Sequence, residues 1–360
     1  MLLVLKIILV IVLIGFAVVV IGVWWFINRV KTALKEALSG ANLAPPCRIT
    51  LQPESHPEWR NAEKMKQYSD DFTANGFTSL GAFQVPEVSG LKIEAFVNEA
   101  ESLFGVTYDH EKIPTSFNVV CRYEDGSDLT VTDLNEPATL DRPPNSPIIR
   151  LAGIDVKGAV DAAAKHPATA PRLPAKAADF VSRFELAFAQ EADWRMRRGG
   201  PTREEVRRRA ELGGKTISEE KLYEAHASIR SAWMMQLQVT NVNQYKIDQN
   251  IAQAEWKKME YRVFAIPMVL TEKEVYEQLE ANLGLEEKQM VELRKIKLAP
   301  GQTALDLINE VLAGKAGQLP MKRLGSVKEP VPAEILLSEV TEDDSDDDSD
   351  ESEEEAQHKA

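Results

Sequence analysis

An uninterrupted apolar run occupies the beginning of the chain. Residues 7–27 carry no charged side chain and are almost all aliphatic, aromatic or glycine. As an α-helix these 21 residues rise roughly 31 Å, which matches a bilayer hydrocarbon core of about 30 Å. The pattern predicts a single N-terminal transmembrane helix within an anchor at residues 1–40, whose last part is a juxtamembrane helix.

The residues that flank this run favour an uncleaved signal-anchor. A cleaved signal peptide, the competing interpretation, has a shorter apolar core and a small-x-small cleavage site close behind it. Here Asn28 and Arg29 follow the run directly. Cationic residues are more numerous on its C-terminal side, so the soluble part of this single-pass membrane protein is predicted to be cytoplasmic. The predicted membrane-interface residues are Lys6, Trp24, Trp25, Arg29, Lys31 and Lys35.

Residues 47–150 change from a helical period to a period of two. A Ser-x-Pro-Glu pattern at 55–58 predicts the start of a helix. Asp125 and Gly126 predict a hairpin turn between two of the alternating segments that follow. This region is predicted to be an α+β domain, in which a helix covers one face of an antiparallel β-meander. The alternating apolar and polar segments lie at 91–98, 104–108, 117–123 and 129–131.

Beyond residue 150 the sequence predicts a linker and then helices. Residues 151–176 are rich in Ala, Lys and Pro and lack a regular apolar period, which is typical of a linker. Between 177 and 340, capping boxes at Thr202 and Thr271 are each followed by a glycine that ends the helix. This region is therefore predicted to be mainly helical.

The charge of the chain is concentrated at its C-terminal end. The 360 residues carry a formal net charge of −14. From Ser338 onward there are 12 acidic residues and one Lys, a net of −11, which leaves −3 for the rest. Residues 341–360 are therefore predicted to be a disordered acidic tail. The near-neutral remainder argues against nucleic-acid binding, which normally needs a basic surface.

Few residues in the soluble part have the spacing of a catalytic or metal site. Gly213 to Thr216 resembles the end of a phosphate-binding loop, but Arg209 stands where that loop needs its first glycine. Asp109, His110 and Glu111 are adjacent, and neighbours at a strand end point in alternate directions. We predict no catalytic residues, no cofactor and no metal ligands from these patterns.

A cluster of arginines is the strongest charge feature before the tail. Only Glu204 and Glu205 offset it locally, so a solvated basic helix and a contact surface are both consistent with it. As a hypothesis, the cluster contacts anionic lipid or an acidic partner. Its members are Arg195, Arg197, Arg198, Arg203, Arg207, Arg208 and Arg209.

These features predict a membrane-anchored, non-enzymatic interaction or scaffold protein. The expected partners are the lipid bilayer and an unidentified protein, with no nucleic acid, and the oligomeric state stays open. The alternative is a membrane-anchored, hydrolase-like enzyme whose site is assembled from residues distant in sequence. A pocket that gathers several of Asp109, His110, Glu111 and Arg122 would favour the enzyme.

Overall fold

The computed structural model describes residues 46–111, 113–135 and 139–340. These residues have an α+β fold with helices and mostly antiparallel sheets, as the sequence predicts. The predicted anchor at 1–40 and the predicted acidic tail at 341–360 lie outside the described residues. Within the described part, no helix combines the length and the apolar character needed to cross a bilayer. The chain divides into two compact units, Met1–Gln236 and Leu237–Ala360.

A seven-stranded sheet is the centre of the first unit. Its strands lie side by side in chain order, and all neighbours are antiparallel except the last pair, which is parallel. The predicted meander is therefore present, although the sequence did not predict the first two strands or the last. The strands are β1 (Gln52–Glu54), β2 (Thr78–Gln84), β3 (Lys92–Asn98), β4 (Leu103–His110), β5 (Ile113–Arg122), β6 (Asp128–Thr132) and β7 (Ile148–Arg150).

Two helices cover one face of this sheet. The first, α1 (Ala62–Ala74), begins later than predicted because the Asn61 side chain accepts a hydrogen bond from the Lys64 amide and caps it there. Phe72 of α1 stacks on Phe96 with ring centroids 4.5 Å apart. Inward-pointing strand residues such as Phe117 complete this aromatic layer.

Close approach of α1 to the sheet requires a glycine in β4. A Cβ atom at Gly105 would lie 2.3 Å from the Phe72 ring. No side chain can occupy that space, so the α1–sheet contact depends on the absence of one.

The second helix on this face lies within the predicted linker. Residues 151–176 contain α2 (Val156–Lys165), whose Val156, Ala159 and Ala163 are buried in the same core. The sequence shows no clear helical period of large apolar residues there, because small alanine side chains supply most of the apolar side of the helix. Residues 151–176 therefore contain a helix that the sequence did not predict. The assignment of 151–176 as a linker and the domain limits 47–150 and 177–340 stay predictions.

A third helix, α3 (Phe180–Arg197), covers the opposite face of the sheet. Phe180 is buried there with Ile93, Ala95 and Val106. The segment that precedes β1 is fixed to the same helix: Arg48 forms a two-point ion pair with Asp193, with N···O distances of 2.7 and 3.1 Å. The sheet is consequently covered on both faces, whereas the sequence predicted one.

The predicted helix boundaries after α3 are largely confirmed. In α4 (Arg203–Leu212), Thr202 and Glu205 form the capping box, and Gly213 is the C-cap. The long helix α5 (Glu219–Asp248) continues from the first unit into the second. It ends at Asp248, before the residue predicted as its furthest extent, because Asn250 has a positive φ of 49°.

The second unit contains a sheet that the sequence did not predict. Strands β8 (Val263–Pro267), β9 (Met321–Val327) and β10 (Ala333–Ser338) form an antiparallel sheet of order β8–β10–β9. All five residues of β8 are buried, and such a continuous apolar run has no period that separates strand from helix. The helices of this unit are α6 (Gln253–Trp256), α7 (Glu272–Leu283), α8 (Glu287–Leu293) and α9 (Ala304–Leu312).

Candidate functional site

A cavity lies between the sheet and α3 in the first unit. Its volume is about 220 Å³. One wall is formed by alternate residues of β4, β5 and β6, and the other by one side of α3. The apolar lining residues are Phe104, Val106, Val120, Phe180, Phe184, Ala187 and Phe188.

The sequence explains why this space is open. Phe180, Phe184 and Phe188 recur every four residues and therefore lie along one side of α3. Large rings meet between the helix and the sheet at the start of α3: the centroids of Phe104 and Phe180 are 5.5 Å apart. Ala187 lines the cavity between Phe184 and Phe188 of the helix, and its side chain is too small to fill the space between helix and sheet.

One end of the cavity is polar. Arg122 and Asp128 are directly opposite each other in the β5–β6 pair, and both line the cavity. Arg142 reaches the same end and forms an ion pair with Glu191 of α3 at 3.2 Å. The cavity thus combines an aromatic interior with two guanidinium groups and two carboxylates at one end.

A tyrosine and an asparagine extend the polar lining. The Asn118 side chain donates a hydrogen bond to the Tyr108 hydroxyl at 3.2 Å. Burial raises the pKa of Tyr108 to about 12, although this hydrogen bond opposes the shift. Tyr108 therefore stays a neutral hydroxyl over the whole physiological range.

Two buried polar atoms among the lining residues lack a hydrogen-bond partner. They are Oδ1 of Asp128 and Nε of Arg142. Burial raises the pKa of Asp128, against the lowering effect of Arg142, Ser146 and Arg122. An unpartnered buried donor and acceptor cost free energy, which a ligand with a polar head can recover.

The three adjacent acid–base residues predicted at 109–111 do not belong to this cavity. Asp109 faces the other side of the sheet, where it accepts hydrogen bonds from the Arg60 amide at 2.5 Å and the Thr115 hydroxyl at 3.1 Å. The Arg60 guanidinium donates to the carbonyls of His110 and Glu111. Of the residues that would indicate an enzyme, only Arg122 lines the cavity.

The structure brings part of the arginine cluster together around two acidic residues. Arg198 donates to Glu205 at 2.6 Å, and Arg208 donates to Asp141 at 2.7 Å. Glu205 is fully buried and also accepts from the backbone amide of Asp141 at 2.6 Å. These arginines join the segment after residue 139 to the start of α4.

Other members of the cluster have different surroundings. Arg195 is buried and forms an ion pair with Glu191. Arg207 pairs with Glu204 and Glu219, and Arg203 lies over the Tyr223 ring at 5.3 Å. Arg209 is exposed. Contact of the cluster with lipid or an acidic partner stays a hypothesis, although several of its charges are engaged within the fold.

A second recess lies in the second unit, at the end of α9. It has a volume of about 410 Å³ and is lined by residues such as Gly314, Gly317 and Leu319. Glu339 is the single charged residue in that lining. The recess therefore has fewer charged side chains that could orient a ligand than the cavity against α3.

The described residues contain no group of three or more His, Cys, Asp or Glu side chains placed to hold a metal ion. Cys47 and Cys121 are both buried. Gly213, the residue that suggested a phosphate loop, follows α4, a helix rather than a strand. The predicted membrane-interface residues, from Lys6 to Lys35, lie outside the described residues.

Sequence reasoning missed the lining residues Tyr108, Asn118, Asp128 and Arg142. A usable signal was present: Leu103 and Phe104 are adjacent apolar residues, and so are Val119 and Val120, which places apolar side chains on both faces of their strands. Such strands are buried on both faces and need a layer on each side. The aromatic period of Phe180, with Phe184 and Phe188, supplied that second layer.

Comparison with known proteins gives no relative from which a function could be transferred. The chain matches no protein-family profile, no curated protein and no solved structure.

Proposed function

We propose that this chain is a single-pass membrane protein whose folded part is a non-enzymatic binding module facing the cytoplasm. The observation that carries the proposal is the cavity of about 220 Å³ between the sheet and α3. Concave, mostly apolar sites with a few convergent polar groups are the usual form of small-ligand sites. In this proposal the cavity takes the apolar part of a ligand or of a partner's side chain.

The membrane part of the proposal depends on the sequence. Residues 7–27 form the anchor, and the flanking Arg29, Lys31 and Lys35 keep the folded part on the cytoplasmic side. The acidic residues after 340 act as a disordered, solubilising tail.

Topology is tested with the full chain in cells. The protein should stay in the membrane pellet after a carbonate wash and need detergent for extraction. A reporter fused after Ala360 should give a cytoplasmic signal. Release by carbonate, or a signal from the opposite compartment, would contradict the anchor or its orientation, respectively.

Cavity binding is tested with the full chain in phosphatidylcholine nanodiscs. The probe is a neutral twelve-carbon alcohol that carries a photoreactive diazirine in its chain. On irradiation it should label peptides from α3 and from β4 to β6. Peptide mapping separates this labelling from the unspecific reaction of probe dissolved in the bilayer.

A matched pair of variants on α3 makes the test specific. Ala187→Trp should fill the cavity and lower labelling of its walls at least tenfold. Leu186→Trp adds the same side chain one residue away, at a position that is 49% exposed, and should leave labelling unchanged. Equal labelling in both variants would contradict cavity binding.

An enzyme is the second candidate, and Asp128 favours it. A carboxyl group with a raised pKa inside a cavity is a candidate general acid or base. In a screen with acyl esters of several chain lengths, this candidate requires turnover that Asp128→Asn abolishes. Turnover that is absent, or unchanged in that variant, supports the binding module instead.

A further inference from the structure

The charges at the polar end of the cavity are not balanced. Asp128 faces both Arg122 and Arg142, whose charges lower its pKa against the effect of burial. Glu191 is shared between Arg142 and Arg195. Each of these two carboxylates therefore interacts with two guanidinium groups. Three arginines face two carboxylates, so positive charge is in excess.

Arg150 adds to this excess. It lies in β7, and its Nε atom is buried without a partner. Its pKa is lowered, first because of burial and then because of the positive charge of Arg142. Repulsion between two partly buried guanidinium groups is relieved when an anion binds between or beside them.

The remaining arginine of the cavity is already neutralised. Arg183 lines the apolar end but forms an ion pair with Asp179 at 2.8 Å, one turn earlier in α3. The unbalanced charge is consequently confined to the end that holds Arg122 and Arg142. This end is separated from the aromatic interior in the way that the head of an amphiphile is separated from its tail.

We propose that the cavity binds a single-chain anionic amphiphile, with its carboxylate or phosphate head at Arg122 and Arg142 and its apolar chain among Phe104, Phe180 and Phe184. A planar guanidinium group suits either head because it offers parallel N–H donors to two oxygens. The unpartnered Nε of Arg142 is one such donor. This inference rests on the proposed binding function and names its ligand class.

The short segment between the proposed membrane anchor and the fold favours the bilayer as the source of this ligand. Gly40 ends the predicted juxtamembrane helix, and Cys47 is the first buried residue of the fold. Seven residues span at most about 25 Å when fully extended. Arg48 then fixes the chain to α3, the helix that forms one cavity wall. The proposed anchor would therefore keep that wall near the membrane surface.

The test compares four probes of equal chain length on the full chain in phosphatidylcholine nanodiscs. Each carries the same diazirine, and the heads are carboxylate, phosphate, alcohol and trimethylammonium. The two anionic probes should label the cavity walls about tenfold more than the alcohol, and the cationic probe should label least. A six-carbon carboxylate added from water, with the same photoreactive group, distinguishes a soluble ligand from one supplied by the bilayer.

Variants assign the preference to the unbalanced arginines. Arg122→Gln and Arg142→Gln should each reduce labelling by the carboxylate probe about tenfold while labelling by the alcohol persists, which also shows that the cavity still forms. Arg183→Gln is the control, because its charge is already paired with Asp179, and it should preserve the anionic preference.

The outcomes separate this inference from the function on which it rests. Equal labelling by the anionic probes and the alcohol, or stronger labelling by the cationic probe, would overturn the anionic head and leave cavity binding intact. Absence of wall labelling by all four probes would overturn both. Loss of the preference in Arg183→Gln but not in Arg142→Gln would also overturn the assignment of the head.

Discussion

Among the charged residues in and around the arginine cluster, Glu205 is expected to be the one whose substitution destabilises the fold most. Its carboxylate is fully buried and accepts three hydrogen bonds of 2.6 Å, from the Thr202 amide, the Asp141 amide and Arg198. The substitution Glu205→Ala removes the capping box and leaves Arg198 without this partner. We therefore expect the variant to destabilise the first unit strongly.

The expected magnitude follows from burial. Removing one partner of a buried ion pair costs about 3–5 kcal/mol, and the partial exposure of Arg198 favours the lower value of about 3 kcal/mol. For a unit of this size, each kcal/mol lowers Tm by roughly 2–4 °C, so Tm should fall by roughly 6–12 °C. Thermal unfolding of the full chain in a non-ionic detergent, followed by tryptophan fluorescence, measures the shift.

The adjacent residue supplies the control. Glu204 pairs with Arg207, but its side chain is 62% exposed, and exposed pairs contribute at most about 1 kcal/mol. Glu204→Ala should therefore lower Tm by less than about 4 °C. Equal shifts for the two variants would refute the reasoning, because burial is what distinguishes the two carboxylates.

The pH dependence of stability gives a second measure of the same site. Burial alone would raise the pKa of Glu205, but the hydrogen bonds from the Thr202 and Asp141 amides and from Arg198 leave it lowered. A lowered folded-state pKa stabilises the fold above the unfolded value of 4.5, and that contribution is lost as pH falls through the folded value. The difference in Tm between wild type and Glu205→Ala should therefore shrink below pH 4.5.

Three further predictions concern other parts of the first unit. Gly105→Ala should cost about 1–3 kcal/mol in a urea unfolding curve, because its Cβ would overlap the Phe72 ring. Tyr108 should resist ionisation in a spectrophotometric titration until about pH 12, and its raised pKa stabilises the fold below pH 10, an effect lost as pH rises towards 12. Arg48→Ala should cost about 1 kcal/mol and speed amide exchange in α3 around Asp193, because this pair is partly exposed.

The sequence predicted those parts of the fold that have a regular period or a local cap. Phe117, Val119 and Cys121 recur every second residue and lie in β5, and the capping boxes at Thr202 and Thr271 lie where predicted. Each of these signals lies within a few residues of chain. Such short-range patterns can be recognised in a single sequence because they depend on backbone geometry rather than on tertiary contacts.

The parts that the sequence did not predict depend on long-range contacts. The helix α2 shows its apolar side only in small alanines, and β8 is a buried run without a period. The cavity joins Phe104 to Phe180, which are far apart in sequence. A single sequence holds no signal for the pairing of α3 with that face of the sheet, although the two-sided apolar strands indicated that something covers it.

The two edges of the seven-stranded sheet also bear on the behaviour of the protein at high local concentration. Both edge strands, β1 and β7, are only three residues long, and β1 has Pro53, which lacks an N–H group, at its centre. A neighbouring copy is offered only a short and interrupted backbone template, which disfavours edge-to-edge pairing. Under the membrane anchoring that we propose, copies would be confined to two dimensions, and this protection against lateral aggregation would allow the fold to be displayed at high surface density.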